Sequence, residues 1–402
     1  MLGLRMLVLE HPHPVHPDEM AFIAGIGYPA DYPVHHPGYA LWVALGMSLA
    51  RFGVEPYWAF AVWSLLASVV SPAVAFLIFR RFMSGSVAFW SALAFGASPL
   101  MWFSSVTALT YCTSTALGLF IVLACVRAVS TGSRALILVA AALMALSCLL
   151  RVDLVLYLFL LVLLSERWVG RKTLPALTLG FTLLGFVMLY AAGWWLYGRG
   201  DPASASARLA HTREILFGQS VFRAGLVDGL IRNAVKILVN LGWNFAAALP
   251  VLLAIAVSSR RRIRGVDLPS PGAAPTAGWL TACWVGPGLT LLLLTHVVQG
   301  YFLPLLGAGY LGIGAYVSRR VEPRRRTWAT ATVAILTAAQ FIVYPWSSES
   351  AGWKRIVDGK IGFISRAGLL HIDLRGRIHE DGDFWRTPAH DLTRPGDPPL
   401  RS

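Results

Sequence analysis

The run YWAFAVWSLLASVVSPAVAFLIFRR, residues 57–81, decides the fold. No charged side chain occurs between 57 and 79, which is long enough for an α-helix to cross a bilayer. Arg80 and Arg81 end the run, and short loops rich in Lys and Arg stay on the cytoplasmic side of a membrane. The run therefore predicts a membrane span whose C-terminal end lies in the cytoplasm.

Similar apolar runs recur along most of the chain. Hydrophobic residues make up 56% of the 402 residues and charged residues 13%, which excludes an ordinary soluble enzyme. We predict an all-α polytopic membrane protein with about ten transmembrane helices. They lie approximately at 57–79, 87–103, 113–130, 135–150, 153–165, 173–197, 236–258, 278–297, 300–318 and 327–345. Residues 1–10 are apolar but short, and we interpret them either as the outer end of a truncated further helix or as a stub in the membrane interface.

Basic residues occupy every second connection between these runs, at 80–81, 127–134, 167–172, 260–264 and 319–326. These loops hold nearly all of the net charge of +14, so the charge indicates membrane topology and not a nucleic-acid partner. We expect the loops 11–56 and 198–235 to be extracytoplasmic. The run 39–52 would reverse this topology if it crossed, so it is interpreted as an interfacial helix of the first loop. Residues 1–345 then form the transmembrane domain, and 346–402 form a small, partly disordered extracytoplasmic tail.

The first outer loop contains the densest polar cluster near the membrane. Asp18 and Glu19 are adjacent carboxylates, and His35 and His36 follow about one short helix later. A carboxylate near a low-dielectric surface is a suitable general base for a hydroxyl acceptor. Asp18 fits a helix N-cap equally well, so both interpretations stay open at this point. No metal site is predicted, because neither the four cysteines nor His11, His13 and His16 show the spacing of metal ligands.

Two further polar groups interrupt apolar sequence at the outer side. Arg151 and Asp153 lie between two short spans, where ionisable side chains are costly and suggest function. A mutual ion pair that breaks the two helices is the alternative. His296 and Tyr301 flank an outer turn, where they could contact a lipid phosphate or anchor the interface.

These residues together resemble the GT-C superfamily of integral-membrane glycosyltransferases, in particular its bacterial protein O-mannosyltransferase-like branch. The stretches that carry the resemblance are 17–19, 36–42, 97–102 with Tyr111, 151–153 and 296–304. The resemblance implies a GT-C-like fold, a polyprenyl-phosphate-sugar donor and an inverting transfer on the outer face. It also implies that Asp18 is the base. The sequence departs from the pattern at Leu109, where the family often has an acid, and at Gln299, where it often has proline.

We therefore predict a membrane glycosyltransferase, hexosyl- or mannosyltransferase-like, that transfers a hexose or pentose to a hydroxyl acceptor. Asp18 and Glu19 are the candidate catalytic residues. The candidate substrate-binding residues are His35, His36, Tyr39, Tyr111, Arg151, Asp153, His296 and Tyr301. The expected partners are the lipid-linked donor, an acceptor protein, glycolipid or polysaccharide, and the bilayer of a bacterial inner membrane. No nucleic acid and no cofactor are expected, with a divalent cation left open.

Two other functions compete with this prediction. The first is a transporter or flippase of a lipid-linked saccharide, which would place ionisable residues at mid-membrane and often shows inverted repeats. Here the ionisable residues gather at the outer rim instead. The second is a non-catalytic membrane scaffold, which predicts no polar pocket around Asp18.

Overall fold

A computed structural model describes residues 19, 21–23, 26, 39–170, 176–197, 220–221, 225–259, 277–295, 299–345, 370–372 and 378–380. The helices are α1 (Ala40–Ala50), α2 (Pro56–Phe79), α3 (Gly85–Gly96), α4 (Pro99–Ser104), α5 (Tyr111–Thr131), α6 (Arg134–Leu150), α7 (Asp153–Gly170), α8 (Ala176–Tyr197), α9 (Leu226–Phe245), α10 (Leu249–Ser259), α11 (Ala277–Leu294), α12 (Leu303–Arg320) and α13 (Pro323–Ile342). A single 3-10 turn, Gln299–Phe302, connects directly to α12.

Three short strands complete the described secondary structure. They are β1 (Val343–Pro345), β2 (Leu370–Ile372) and β3 (Ile378–Glu380). β1 pairs with β2 in parallel, and β2 pairs with β3 antiparallel. The described part of the chain is thus helical apart from this sheet, two strands of which come from the predicted tail 346–402.

Four described helices are long and apolar enough to cross a membrane, namely Pro56–Phe79, Tyr111–Thr131, Ala277–Leu294 and Gly300–Arg320. The pair α9 and α10 would make a fifth span, bent by 83° between its two halves. The expected number of ten spans is not confirmed, because several predicted runs form shorter apolar helices, such as α3 and α6. The chain is nevertheless a multi-pass membrane protein by the length and composition of these helices.

Two predicted spans are divided in the structure. The run 87–103 forms α3 and α4, and Pro99 begins the second helix, a position where its missing N–H costs nothing. The run 236–258 is broken after Phe245, and its first helix begins at Leu226, inside the segment predicted as an outer loop. The run 39–52 forms α1, whose 11 residues extend about 16 Å and are too short to span.

The helices pack around one apolar core. α5 contacts α2, α6 and α7, while α11 contacts α7 and α12, and α13 lies against α3. The largest fully buried side chains are aromatic, among them Trp42, Trp102, Trp284, Tyr157 and Tyr310. Apolar side chains such as Leu66, Leu183 and Val187 are exposed on the outer faces of α2 and α8, as expected where helices face lipid.

Candidate functional site

The turn between α6 and α7 contains a buried ion pair. Arg151 Nε donates to Asp153 Oδ1 at 2.9 Å, and Arg151 Nη2 donates to Asp153 Oδ2 at 3.0 Å. The side chain of Arg151 is only 5% exposed and that of Asp153 21%. Arg151 has extended backbone angles, so it ends α6, and Asp153 begins α7. The ion pair considered from the sequence is therefore formed, and it separates the two helices.

Two tyrosine rings cover the guanidinium group of Arg151. Its Cζ atom lies 4.7 Å from the ring centroid of Tyr111 and 4.5 Å from that of Tyr301, within the range of cation–π attraction. The two rings meet edge to face, with centroids 6.4 Å apart. Arg151 Nη1 also donates to Thr110 Oγ1 at 3.3 Å. We call Thr110, Tyr111, Arg151, Asp153 and Tyr301 the arginine cage.

The charge of Arg151 is maintained inside this cage. Burial is the largest single influence and alone would lower the pKa of the guanidinium, but the Asp153 carboxylate together with Tyr39, Tyr301 and Tyr111 outweighs it, so the pKa is raised well above its ordinary value. Tyr39, at the start of α1, lies near enough to contribute to the same electrostatic environment. The structure thus brings together five of the predicted substrate-binding residues, from sequence positions between 39 and 301.

Tyr301 is placed by a close approach of the 3-10 turn to Tyr111. A Cβ atom built at Gly300 would overlap the phenol end of the Tyr111 ring. Gly300 therefore lets the backbone lie directly on that ring, and the next residue, Tyr301, reaches Arg151 from there. Phe302 is completely buried and fixes the end of the turn.

The segment 105–110, which leads into Tyr111, is a buried loop. Its backbone carbonyl groups need hydrogen-bond donors, because such groups are costly when buried without partners. The donors are side chains of α1 and α2: Tyr57 Oη to Val106 O (2.8 Å), Trp42 Nε1 to Ala108 O (3.2 Å) and Ser64 Oγ to Leu109 O (2.9 Å). These bonds hold Thr110 and Tyr111 in place for the cage.

Glu19 supports the same loop from the segment that precedes α1. Its side chain is fully buried, and Oε2 accepts a hydrogen bond from Ala108 N at 3.1 Å. This contact links the predicted acidic pair to the loop that carries Thr110 and Tyr111. Its neighbour Asp18 lies outside the described residues, as do His35, His36 and His296.

A row of asparagines follows one face of α9. Asn233, Asn240 and Asn244 are separated by seven and four residues, a helical spacing that puts them on the same side. Asn233 Nδ2 donates to Leu293 O at 2.9 Å and to Thr295 O at 3.1 Å, at the end of α11. Asn244 Oδ1 accepts from Leu100 N of α4 at 3.3 Å. α9 and α4 both contact the 3-10 turn that carries Tyr301, so α9 and α4 are neighbours of that turn.

Side chains also satisfy the backbone where α9 breaks. Tyr310 Oη donates to Asn244 O at 3.0 Å. Gln340 Nε2 donates to Trp243 O at 2.7 Å, and Gln340 Oε1 accepts from Ala247 N at 3.2 Å. Non-helical backbone at membrane depth is tolerated only where protein groups or water replace the lost hydrogen bonds. Specific side-chain contacts therefore stabilise the break between α9 and α10.

Sequence reasoning missed Thr110, Gly300, Gln340 and the asparagine row. The asparagines share one helical face, a signal that was available in the sequence. The described residues contain no group of three or more His, Cys, Asp or Glu side chains that could hold a metal ion.

No protein-family model matches the sequence, and no curated protein sequence matches it. The chain is similar to a crystal structure of ArnT from Cupriavidus metallidurans bound to undecaprenyl phosphate. The TM-score is 0.58 at 14% sequence identity, and the match covers 91% of this chain and 67% of that one. The apo structure of the same protein gives a TM-score of 0.50 at 16% identity, covering 80% of this chain and 59% of that one.

The chain thus spans about two thirds of the length of the ArnT chain, or less. At such low identity the likeness concerns the fold. It agrees with the all-α membrane fold expected from the sequence, while the GT-C superfamily and its O-mannosyltransferase-like branch stay predictions. The chain therefore is a multi-pass membrane protein with the fold of ArnT.

Proposed function

We propose that this chain is a glycosyltransferase that transfers a hexose or pentose from a polyprenyl-phosphate donor to a hydroxyl acceptor on the extracytoplasmic face. One observation carries the proposal. The arginine cage places a buried cation and two phenols at the ends of apolar helices, in a fold shared with an ArnT structure bound to undecaprenyl phosphate. Its membrane would be a bacterial inner membrane, and its acceptor a protein, glycolipid or polysaccharide.

The cage has the chemistry that a lipid-linked phosphate requires. The isoprenoid chain would lie among apolar helices, and the phosphate would meet hydrogen-bond donors at their ends. Guanidinium has five N–H donors, and among the described residues Asp153 and Thr110 occupy three of them, which leaves two for phosphate oxygens. The phenols of Tyr111 and Tyr301, with His296, would complete the phosphate site.

The proposed reaction is a single displacement at the anomeric carbon. Asp18 accepts the proton of the acceptor hydroxyl as that oxygen forms a bond to the anomeric carbon. The bond from this carbon to the phosphate oxygen breaks, and the electron pair leaves with the polyprenyl phosphate. Arg151 stabilises the charge that develops on the leaving phosphate. Attack opposite the leaving group inverts the configuration, and His35, His36 and Tyr39 would border the sugar.

Transfer by the purified protein in liposomes tests this function. Radiolabelled polyprenyl-phosphate sugars are supplied with acceptor fractions, and wild type is compared with Asp18→Asn. We expect the variant to bind the donor and to lose transfer. Asp228→Asn is the matched control, because Asp228 is an exposed carboxylate on α9 and its loss leaves transfer intact. Equal transfer by wild type and Asp18→Asn would exclude Asp18 as the base.

A lipid-linked saccharide transporter is a second candidate, and the 83° break between α9 and α10 favours it. Transporters often build their substrate sites from interrupted helices. The same liposomes distinguish the two functions. Movement of the lipid-linked sugar across the bilayer without transfer to an acceptor would support transport, and neither movement nor transfer would support a scaffold.

A further inference from the structure

Asn240 differs from the other two asparagines of the row on α9. The amide groups of Asn233 and Asn244 form hydrogen bonds with backbone groups of α11, α4 and α9. Asn240 is 2% exposed, and its Nδ2 donates to Lys236 O at 2.7 Å. Its Oδ1 is buried and accepts no hydrogen bond from the part of the chain that the structure describes.

The orientation of this amide group is fixed by its own contact. If the amide were rotated by half a turn, Oδ1 would face the carbonyl oxygen of Lys236, and two acceptors would meet. Oδ1 is therefore the amide atom that has no hydrogen-bond partner among the described residues. A buried acceptor without a partner costs free energy, and nearly all such groups in proteins have one. Asn240 Oδ1 can thus accept a hydrogen bond from a donor group that the described part of the chain does not supply.

Neighbouring contacts place this acceptor on a helix face next to α11 and α4, near the turn that carries Tyr301. Asn233, two helical turns away and about 10 Å along the axis, bonds to the end of α11. Asn244, one turn away on the other side, bonds to Leu100 of α4. α9 and α4 both contact the turn that carries Tyr301. Asn240 therefore lies on the face of α9 that bonds to α11 and α4, and α4 and α9 are neighbours of the turn that contributes Tyr301 to the proposed donor site.

The chemistry of Asn240 Oδ1, a hydrogen-bond acceptor, indicates which part of the proposed donor it would bind. An ionised phosphate offers acceptors only, and an isoprenoid offers no hydrogen-bonding group. A sugar offers hydroxyl donors. We propose that Asn240 is a sugar-recognition residue, whose Oδ1 accepts a hydrogen bond from a hydroxyl of the transferred sugar. This inference rests on the proposed function. A site built to bond a hydroxyl discriminates strongly against an analogue that lacks it.

Binding measurements on the purified full chain in nanodiscs test the inference with two kinds of probe. The first is undecaprenyl phosphate, and the second is undecaprenyl phosphate bearing mannose, glucose or arabinose. In wild type, we expect at least one sugar-bearing lipid to bind more tightly than the bare lipid. Asn240→Leu should bind the bare lipid as wild type does and lose about tenfold in affinity for that sugar-bearing lipid.

Thermal unfolding separates recognition from a structural role. Asn240→Leu removes a buried acceptor without a partner, and Lys236 O keeps its bond within the helix, so the melting temperature should be unchanged or higher. Asn233→Leu is the matched control, a residue of the same type on the same face of α9. Its amide bonds Leu293 O and Thr295 O, so its loss should lower the melting temperature and weaken binding of both probes alike.

Three results would overturn the inference. If Asn240→Leu keeps the extra affinity for the sugar-bearing lipid, Oδ1 holds at most a water molecule. If no sugar-bearing lipid binds wild type more tightly than the bare lipid does, there is no sugar site to recognise. If wild type binds neither probe, the proposed function fails and the inference fails with it. The first two results leave lipid-phosphate binding intact, so they are distinguishable from the third.

Discussion

Arg151 and Asp153 form a bidentate ion pair across one intervening residue, with N–O distances of 2.9 and 3.0 Å. The planar guanidinium matches the two carboxylate oxygens, a geometry that lysine could not reproduce. The pair ends one helix, begins the next and lies under two tyrosine rings. Because Arg151 is almost entirely buried, the stability of the cage depends on its partner carboxylate.

Removing that carboxylate should destabilise the protein. Asp153→Ala leaves a buried guanidinium without its counter-charge, and breaking a buried ion pair costs about 3 kcal/mol. We expect a clear fall in melting temperature in detergent, measured by differential scanning calorimetry. Asp228→Ala is the control, since this carboxylate is exposed on α9 and its loss should change little.

The double variant Arg151→Met with Asp153→Leu should recover most of the stability that Asp153→Ala loses. Paired apolar replacements leave no uncompensated charge, and such exchanges are often neutral. The coupling between the two sites is read from a double-mutant cycle with the single variants. Additive losses would mean that the pair is not coupled. Donor binding should remain lost in the stable double variant if Arg151 contacts the lipid phosphate.

The close approach of the 3-10 turn to α5 predicts a strong effect of a single methyl group. Gly300→Ala would overlap the Tyr111 ring, and relieving such an overlap in a packed site costs about 1–3 kcal/mol. We expect lower thermal stability together with weaker donor binding, since Tyr301 would be displaced from Arg151. Gly312→Ala on α12 is the control. A Cβ there meets nothing within 4 Å, and it should be neutral or slightly stabilising.

The members of the cage differ in how visible they were in the sequence. Arg151 and Asp153 interrupt apolar sequence between two predicted spans, so the cost of placing ionisable groups in a membrane marked them. Tyr301 was marked by its place at a predicted outer turn. No sequence pattern singles out Thr110 or Gly300, because their roles arise only when α5, α7 and α12 pack together. A threonine or glycine in a loop has no pattern that predicts which distant ring it will touch.

Glu19 should behave as a positioning residue. Its Oε2 accepts from Ala108 N, and Glu19→Gln keeps an acceptor oxygen there, so we expect most of the transfer activity and stability to remain. Glu19→Ala leaves that N–H without its acceptor and should cost about 1–3 kcal/mol. Transfer rate and melting temperature are measured on both variants. Loss of transfer in a fully folded Glu19→Gln protein would assign Glu19 to proton transfer instead.

The broken helix shows that hydropathy alone does not predict where a span is interrupted. The run 236–258 is apolar enough to predict one span, yet α9 ends at Phe245 and α10 begins at Leu249. Pro250 is the local signal, because proline is tolerated in the first turn of a helix and disrupts a helix interior. The groups that stabilise the break come from Tyr310 and Gln340, which lie 60 or more residues away. Only the packing of α10 against α12 and α13, next to the end of α9, brings them there.

Gln340 should be the residue on which this break depends most directly. Gln340→Leu removes the acceptor for Ala247 N and the donor to Trp243 O, and we expect a loss of about 1–2 kcal/mol. Gln340→Glu keeps the acceptor, and a neutral carboxyl group also offers an O–H donor to Trp243 O, so its effect should be smaller than that of Gln340→Leu. Hydrogen–deuterium exchange provides the local measurement, and amides around 243–250 should exchange faster in Gln340→Leu than in wild type. Thr332→Val on the exposed side of α13 is the control, because its hydroxyl only bonds Trp328 O within the same helix. If exchange at 243–250 is the same in Gln340→Leu and Thr332→Val, the backbone of the break is held by other groups, and the bend does not require α13.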